Sequence, residues 1–244
     1  MEAMILAAGL GERLRPLTDR IPKALVPVHG KPLLGHVLDR LVAAGATRLV
    51  INTCAHSDQI AQWLAANAPP GVEIALSPEP GHPLDTGGGF VNAAPLFQEH
   101  GPILLHAVDV LSQIPLPALL AEHRAAQARL GERLVATLAV QDRASSRRLL
   151  FDDEGLMGWT GRKAERRVRR PAGTLRDVAF AGIHVVEPAL AGLSPRRGAF
   201  PIVDLYLDLA ERGYVIRPMD VTRYDWLDVG TPQRLEEAEA TTRP

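Results

Sequence analysis

Short apolar runs alternate with helical stripes through the first 110 residues, and this order restricts the possible folds more than any other feature of the chain. Residues 3–7 form an apolar run suited to a strand covered on both faces. Residues 32–44 place Leu33, Leu34, Val37, Leu38, Leu41 and Val42 at helical spacing, with Gly45 as a stop. Residues 48–52 and 72–76 read as strands, and 57–67 as a helix with Ile60, Trp63 and Leu64 on one side. A glycine-rich helix over 86–97 and a buried strand over 102–108 complete the series. Strands and helices in this order imply right-handed crossovers and a parallel sheet. Ligands on such sheets bind beyond the carboxyl ends of the strands. The loop after the first strand and Asp109, after a later one, are therefore expected to face one cleft.

The second half changes character. Residues 134–140 and 178–186 are strand-like, and 149–159 read as a hairpin turning at Asp-Asp-Glu-Gly. A helix is expected over 199–212, with Ile202, Leu205, Tyr206 and Leu209 on its apolar side. A short strand over 224–229 precedes Thr231-Pro232, the cap and first residue of a last helix. No linker separates the halves. The expected fold is α/β: a doubly wound, mostly parallel sheet with helices on both faces and a smaller lid. It forms one unit over 1–240, with halves at 1–110 and 111–240 and a tail at 241–244.

Composition narrows the function. The 27 basic and 28 acidic residues give a net charge of −1, so nucleic acid is not expected as a partner. A single cysteine, Cys54, excludes an internal disulfide and a thiolate metal cluster. No apolar run reaches the roughly 20 residues that cross a bilayer. With no signal-peptide pattern at the start, a cytoplasmic location without membrane attachment is expected.

The loop leaving the first strand carries Gly9 and Gly11, followed by Arg13, Arg15 and Lys23. Glycines there let backbone N–H groups turn toward an anion, and the cations add charge. A tight turn with solvated cations is the other reading of these residues alone. The loop lacks the third glycine of the dinucleotide fingerprint and the Gly-Lys-Ser/Thr ending of a P-loop.

A longer pattern is more specific. Leu6-Ala7-Ala8-Gly9-Leu10-Gly11-Glu12-Arg13, Thr18 and Pro22-Lys23-Ala24-Leu25-Val26-Pro27-Val28 resemble the signature of the sugar-1-phosphate nucleotidyltransferases. The resemblance continues through Asp85-Thr86-Gly87-Gly88-Gly89, Asp109-Val110, Phe180-Ala181-Gly182-Ile183 and Trp226-Leu227-Asp228-Val229-Gly230, spanning nearly the whole chain. The compact length and Ser77-Pro78-Glu79 look most like the N-acetylmuramate 1-phosphate uridylyltransferases, a cell-wall activity.

The resemblance implies transfer of a nucleotidyl group from a nucleoside triphosphate to a sugar 1-phosphate, with pyrophosphate released. It implies nucleotide contacts at Ala8, Gly9, Gly11, Glu79, Gly87 and Gly88, and catalytic roles for Arg13 and Lys23. Gly182 and Trp226 are implied at the sugar, and Asp109 and Asp228 as ligands of Mg²⁺. UTP is the first choice of donor. A mannose- or heptose-1-phosphate guanylyltransferase is the alternative, and a non-catalytic sugar-nucleotide sensor is the reading from another class. Whether the chain is a monomer or a dimer stays open.

Two departures from the family pattern stand out. Ala107-Val108-Asp109 replaces Asn-Gly-Asp, and the Glu-Lys-Pro segment has no clear counterpart. Lys163, in the basic run 162–170, is either a substitute for that lysine or part of a solvated loop. Asp85-Thr86-Gly87 matches the aspartic-protease triplet, but the α/β order argues against that fold. The eight histidines show no spacing suited to zinc.

Overall fold

The computed structural model describes residues 1–98, 100–162 and 164–241. The first half runs β1 (Glu2–Leu6), α1 (Leu33–Ala43), β2 (Arg48–Thr53), α2 (Ser57–Asn67), β3 (Glu73–Pro78), α3 (Asp85–Ala93) and β4 (Ile103–Ala107). β1 lies between β2 and β4, parallel to both, and β3 extends the sheet beside β2. Alternate residues of β1 go to opposite faces, as strand geometry requires. Ala3 and Ile5 pack with α1 and α2, whereas Met4 packs with α3 and the later helices. Phe90 is fully buried in the second layer, and burying a side chain of that size stabilises by about 1.5–3 kcal/mol.

The second half runs β5 (Val110–Ser112), α4 (Leu116–Leu130), β6 (Leu134–Gln141), β7 (Arg147–Asp152), β8 (Gly155–Gly161), β9 (Glu165–Arg167) and β10 (Arg176–Val186). It ends with α5 (Leu190–Leu193), α6 (Ile202–Glu211), β11 (Val215–Asp220), β12 (Trp226–Asp228) and α7 (Pro232–Ala240). The sheet is mixed though mostly parallel, because β10 runs antiparallel to both β4 and β6. Its first residues, Arg176–Val178, pair instead with β7. One long strand thus belongs to the central sheet at one end and to the smaller β7–β8–β9 sheet at the other.

Three local readings change. α4 has no counterpart in the sequence reading; its leucines are interspersed with alanines and Pro117 lies in its first turn. The expected helix over 199–212 begins only at Ile202, because Pro201 is extended (φ −67°, ψ 141°) and serves as its N-cap. The basic run 162–170 is largely paired: Arg166 with Asp208, Arg167 with Glu165, and Arg169 with Asp152. Lys163 lies outside the described residues.

Candidate active site

The site is built where β1 and β4 end. After β1, the backbone N–H groups of Gly9, Leu10 and Gly11 have no acceptor among the described residues. Gly9 faces open space, so that a side chain there would meet nothing within 4 Å. Gly11 is required for another reason. It is left-handed (φ +66°), and a Cβ would lie 2.8 Å from the Thr18 methyl. The Thr18 hydroxyl donates to its carbonyl at 2.9 Å, which pins the loop. A cavity of about 420 Å³ is lined by these residues with Arg13, Lys23 and Gly230. Unpaired backbone donors beside two cations form an anion cradle.

Lys23, in a single 3₁₀ turn, is 8% exposed and pairs with the Asp109 carboxylate. Asp109 follows β4, and its partner comes from 119 residues further on. β12 pairs antiparallel with β5, aligning Asp228 with Val110, and Val229 N–H donates to the Asp109 carbonyl at 2.8 Å. Both acids line a cavity of about 330 Å³, together with Ala107, Gly182 and Trp226. Burial, and then the charge of Asp109, raise the Asp228 pKa, while Lys23, Arg13 and Arg143 pull it back. The Asp228 Oδ1 atom is buried without a hydrogen-bond partner among the described residues. An orphaned, desolvated carboxylate oxygen beside a second acid suits a hard divalent cation. No group of three or more His, Cys, Asp or Glu side chains stands together among the described residues, so further ligands to such an ion would come from phosphate oxygens.

A third cavity, of about 180 Å³, adjoins both and is lined by Ala8, Gly9, Lys23, Asn52, Asp85, Thr86 and Asp109. Asn52, at the end of β2, escaped the sequence reading. Its side-chain oxygen accepts from Ala7 N–H at 2.7 Å, and its amide donates to Glu79 at 2.7 Å. A polar residue ending a buried strand was the available signal, as it was for Asp109.

Glu79 has a different place from the one expected. It is 6% exposed, with one oxygen taken by Asn52 and the other by Leu84 N–H at 2.6 Å. Through its bond to Asn52, which lines the cavity, it braces the wall from behind. Gly87 and Gly88 also make contacts within the protein. Their N–H groups donate to the Phe200 carbonyl at 2.9 and 3.2 Å. A Cβ on Gly87 would strike the Phe200 ring, and one on Gly88 would strike the Gly198 carbonyl. These glycines admit the 198–200 backbone, and the residue of this turn that reaches both neighbouring cavities is Thr86.

Gly88→Ala is accordingly expected to destabilise by about 1–3 kcal/mol in urea unfolding, as overpacking against backbone does. Gly9→Ala, facing open space, is expected to unfold within about 0.5 kcal/mol of the parent. Equal stability of the two variants would refute the packing role.

In the cavity that both acids line, Gly182 is left-handed (φ +75°) and lies against Val110 and Ala107, which narrows the floor. Trp226 is fixed by its indole N–H, which donates to the Ala181 carbonyl at 2.7 Å. Arg143, from the loop after β6, lies over the Trp226 ring; nothing in its local sequence marks it. Burial lowers its pKa and the charge of Asp228 raises it. Below, burial holds His106 at a pKa of about 4 and His184 at about 3, so both imidazoles are neutral at pH 7.

A family model described as Nucleotidyl transferase matches residues 2–243. The chain belongs to that family. Nucleotidyl transfer, the reaction class read from the motifs, stands, and the non-catalytic sensor is set aside. Among the family's curated members, the chain is similar to the N-acetylmuramate alpha-1-phosphate uridylyltransferase of Caulobacter vibrioides, at 36% identity covering 98% of this chain and 95% of that one. A mannose-1-phosphate guanylyltransferase of Mycobacterium tuberculosis is 30% identical, covering 96% of this chain and 62% of the other. The solved inositol-1-phosphate CTP transferase from T. maritima superposes with a TM-score of 0.74 at 16% identity, covering 100% of this chain and 98% of that one. At that identity it supports the fold alone. Among the described residues no helix is long and apolar enough to cross a membrane.

Proposed function

We propose that the chain transfers a uridylyl group from UTP to N-acetylmuramate 1-phosphate, giving the nucleotide sugar and pyrophosphate in a cytoplasmic step of cell-wall precursor supply. One observation carries the reading. Two acids from distant strands, two cations and a loop of unpaired N–H donors border three adjoining cavities. The uridylyltransferase relative, matched along nearly its full length, supports the choice of base and sugar.

The acceptor phosphate has a second pKa of about 6, so it is dianionic near neutral pH and attacks the α-phosphorus without a side-chain base. The buried neutral imidazoles fit that division of labour. What the reaction needs is relief of repulsion between two anions, which comes from positioning and preorganised charge. The N–H groups of Gly9 to Gly11 hold the triphosphate, and Arg13 stabilises the departing pyrophosphate. Lys23, a compact point charge, stands between nucleophile and α-phosphoryl group. Asp109 and Asp228 would hold Mg²⁺, which when bound supplies charge neutralisation at the phosphates. Ala8, Gly9 and Asn52 leave room for the base, and Gly182 and Trp226 flank the sugar.

A panel of nucleoside triphosphates against sugar 1-phosphates, followed by pyrophosphate release, tests this. The highest kcat/KM is expected with UTP and N-acetylmuramate 1-phosphate. A higher value with GTP and mannose 1-phosphate would replace the reading with the guanylyltransferase one.

A further inference from the structure

Arg143 is a cation held in place without a carboxylate partner among the described residues. Its guanidinium carbon lies 3.7 Å above the centre of the Trp226 ring. Nη2 donates to the Phe180 carbonyl at 3.0 Å and Nη1 to the Ala144 carbonyl at 3.3 Å. Nε is buried with no partner among the described residues. A guanidinium has more N–H donors than these two carbonyls use. The neighbouring Arg148 shows the contrast, since Asp142 and Asp177 both neutralise it. Arg143 has no such ion pair among the described residues, yet it lines the acceptor cavity with Gly182, Trp226 and Asp228.

Its orientation is set before any ligand arrives. Trp226 supports one face of the guanidinium and is itself hydrogen-bonded to the Ala181 carbonyl, on β10. The Phe180 carbonyl that holds Nη2 belongs to the same strand. A planar cation stacked on an aromatic ring, with donors to spare, is suited to an oxyanion. The acids sharing this cavity, Asp109 and Asp228, are the groups assigned above to a divalent ion, and are thereby committed elsewhere.

We propose that Arg143 is the residue that recognises an oxyanion of the acceptor, either its anomeric phosphate or a carboxylate carried on the sugar. The inference rests on the proposed reaction and assigns one of its substrate contacts. The two sources are separated by a pair of acceptors that differ in the carboxylate. N-acetylmuramate 1-phosphate carries it, and N-acetylglucosamine 1-phosphate has the same ring without it.

Arg143→Met and Arg143→Lys are to be compared with the parent by pyrophosphate release, with Tm recorded for each. Loss of a charge-assisted contact is expected to raise the acceptor KM of Arg143→Met roughly 10- to 100-fold, with the triphosphate KM unchanged. Arg143→Lys is expected to recover part of that loss. A rise with both acceptors assigns the contact to the phosphate, and a rise confined to the muramate assigns it to the carboxylate. An unchanged acceptor KM, or a parallel rise in both substrates' KM with a lowered Tm, overturns the proposal and leaves Arg143 a packing residue. If the parent releases no pyrophosphate with any substrate pair, the proposed function fails and this inference with it. Turnover by the parent with an unaltered Arg143→Met would sink this inference alone.

Discussion

Asp228→Asn is expected to lower kcat by a factor of about 10²–10³ or more, comparable to losing a preorganised electrostatic group at a transition state. The same variant is expected to be more stable than the parent at pH 7. Burial and the neighbouring Asp109 raise the Asp228 pKa above its ordinary value of 3.8. A carboxyl group raised on folding favours the native state below the unfolded-state pKa, and that contribution is lost as pH rises through the folded-state value. At neutral pH the ionised group is therefore a net cost, and its Oδ1 atom has no hydrogen-bond partner among the described residues. Neutral asparagine removes the cost of ionisation. The Tm difference between variant and parent is expected to be positive at pH 7 and to shrink as pH falls toward 4. Thermal scans across that range, with rates from pyrophosphate release, test both halves. Turnover within a few-fold of the parent would remove Asp228 from the site.

Lys23→Met is expected to lose activity on a similar scale, with a stability change of opposite sign. Lys23 is 8% exposed and pairs with Asp109. Its removal leaves a partly buried carboxylate without its cation, at a cost of about 1–3 kcal/mol. The loss should fall on kcat more than on the triphosphate KM, because the ammonium acts where charge develops. Lys23→Arg is not expected to rescue turnover. Lys23 is nearly buried, and a planar, forked guanidinium in the same space does not reproduce a compact point charge. Full activity in Lys23→Arg would show that any cation suffices. A rise in Tm for Lys23→Met would refute the stabilising pair.

These two variants separate the acids from the cations. Both are expected to lose turnover, but one relieves an uncompensated charge and the other creates one. In the proposed role, the desolvation that makes Asp228 costly to the fold would also make it a strong ligand for a hard cation, a tension between stability and activity.

The fold was legible because strand and helix periods are local. The runs that became β1, β2 and β4 were apolar enough to announce a sheet covered on both faces, and their order dictated the crossovers. Asp109 was legible as a carboxylate ending a buried strand, and Asp228 came from the resemblance to a family motif. The α4 helix was not, since alanines and a proline blur its apolar pattern. The resemblance implies nucleotide contacts at Gly87 and Gly88, but the space left by their missing side chains has another occupant. It is the 198–200 backbone, more than a hundred residues away. Glu79 shows a related point. What a carboxylate touches depends on the chain folded around it, and here Asn52 and Leu84 each hold one of its oxygens.

Local composition and spacing thus determined the layered architecture, a glycine loop followed by cations and a carboxylate at the end of a buried strand, because each depends on nearby residues; recognition of a longer pattern added the family and the roles proposed for both acids. Tertiary structure alone decided which groups share a cavity. The β5–β12 register brings Asp228 beside Asp109, the turn holding Lys23 sets its ammonium on that acid, and Trp226 fixes Arg143 in the cavity that both acids line. Charges act through distance and burial, and no local pattern encodes either across so long a separation.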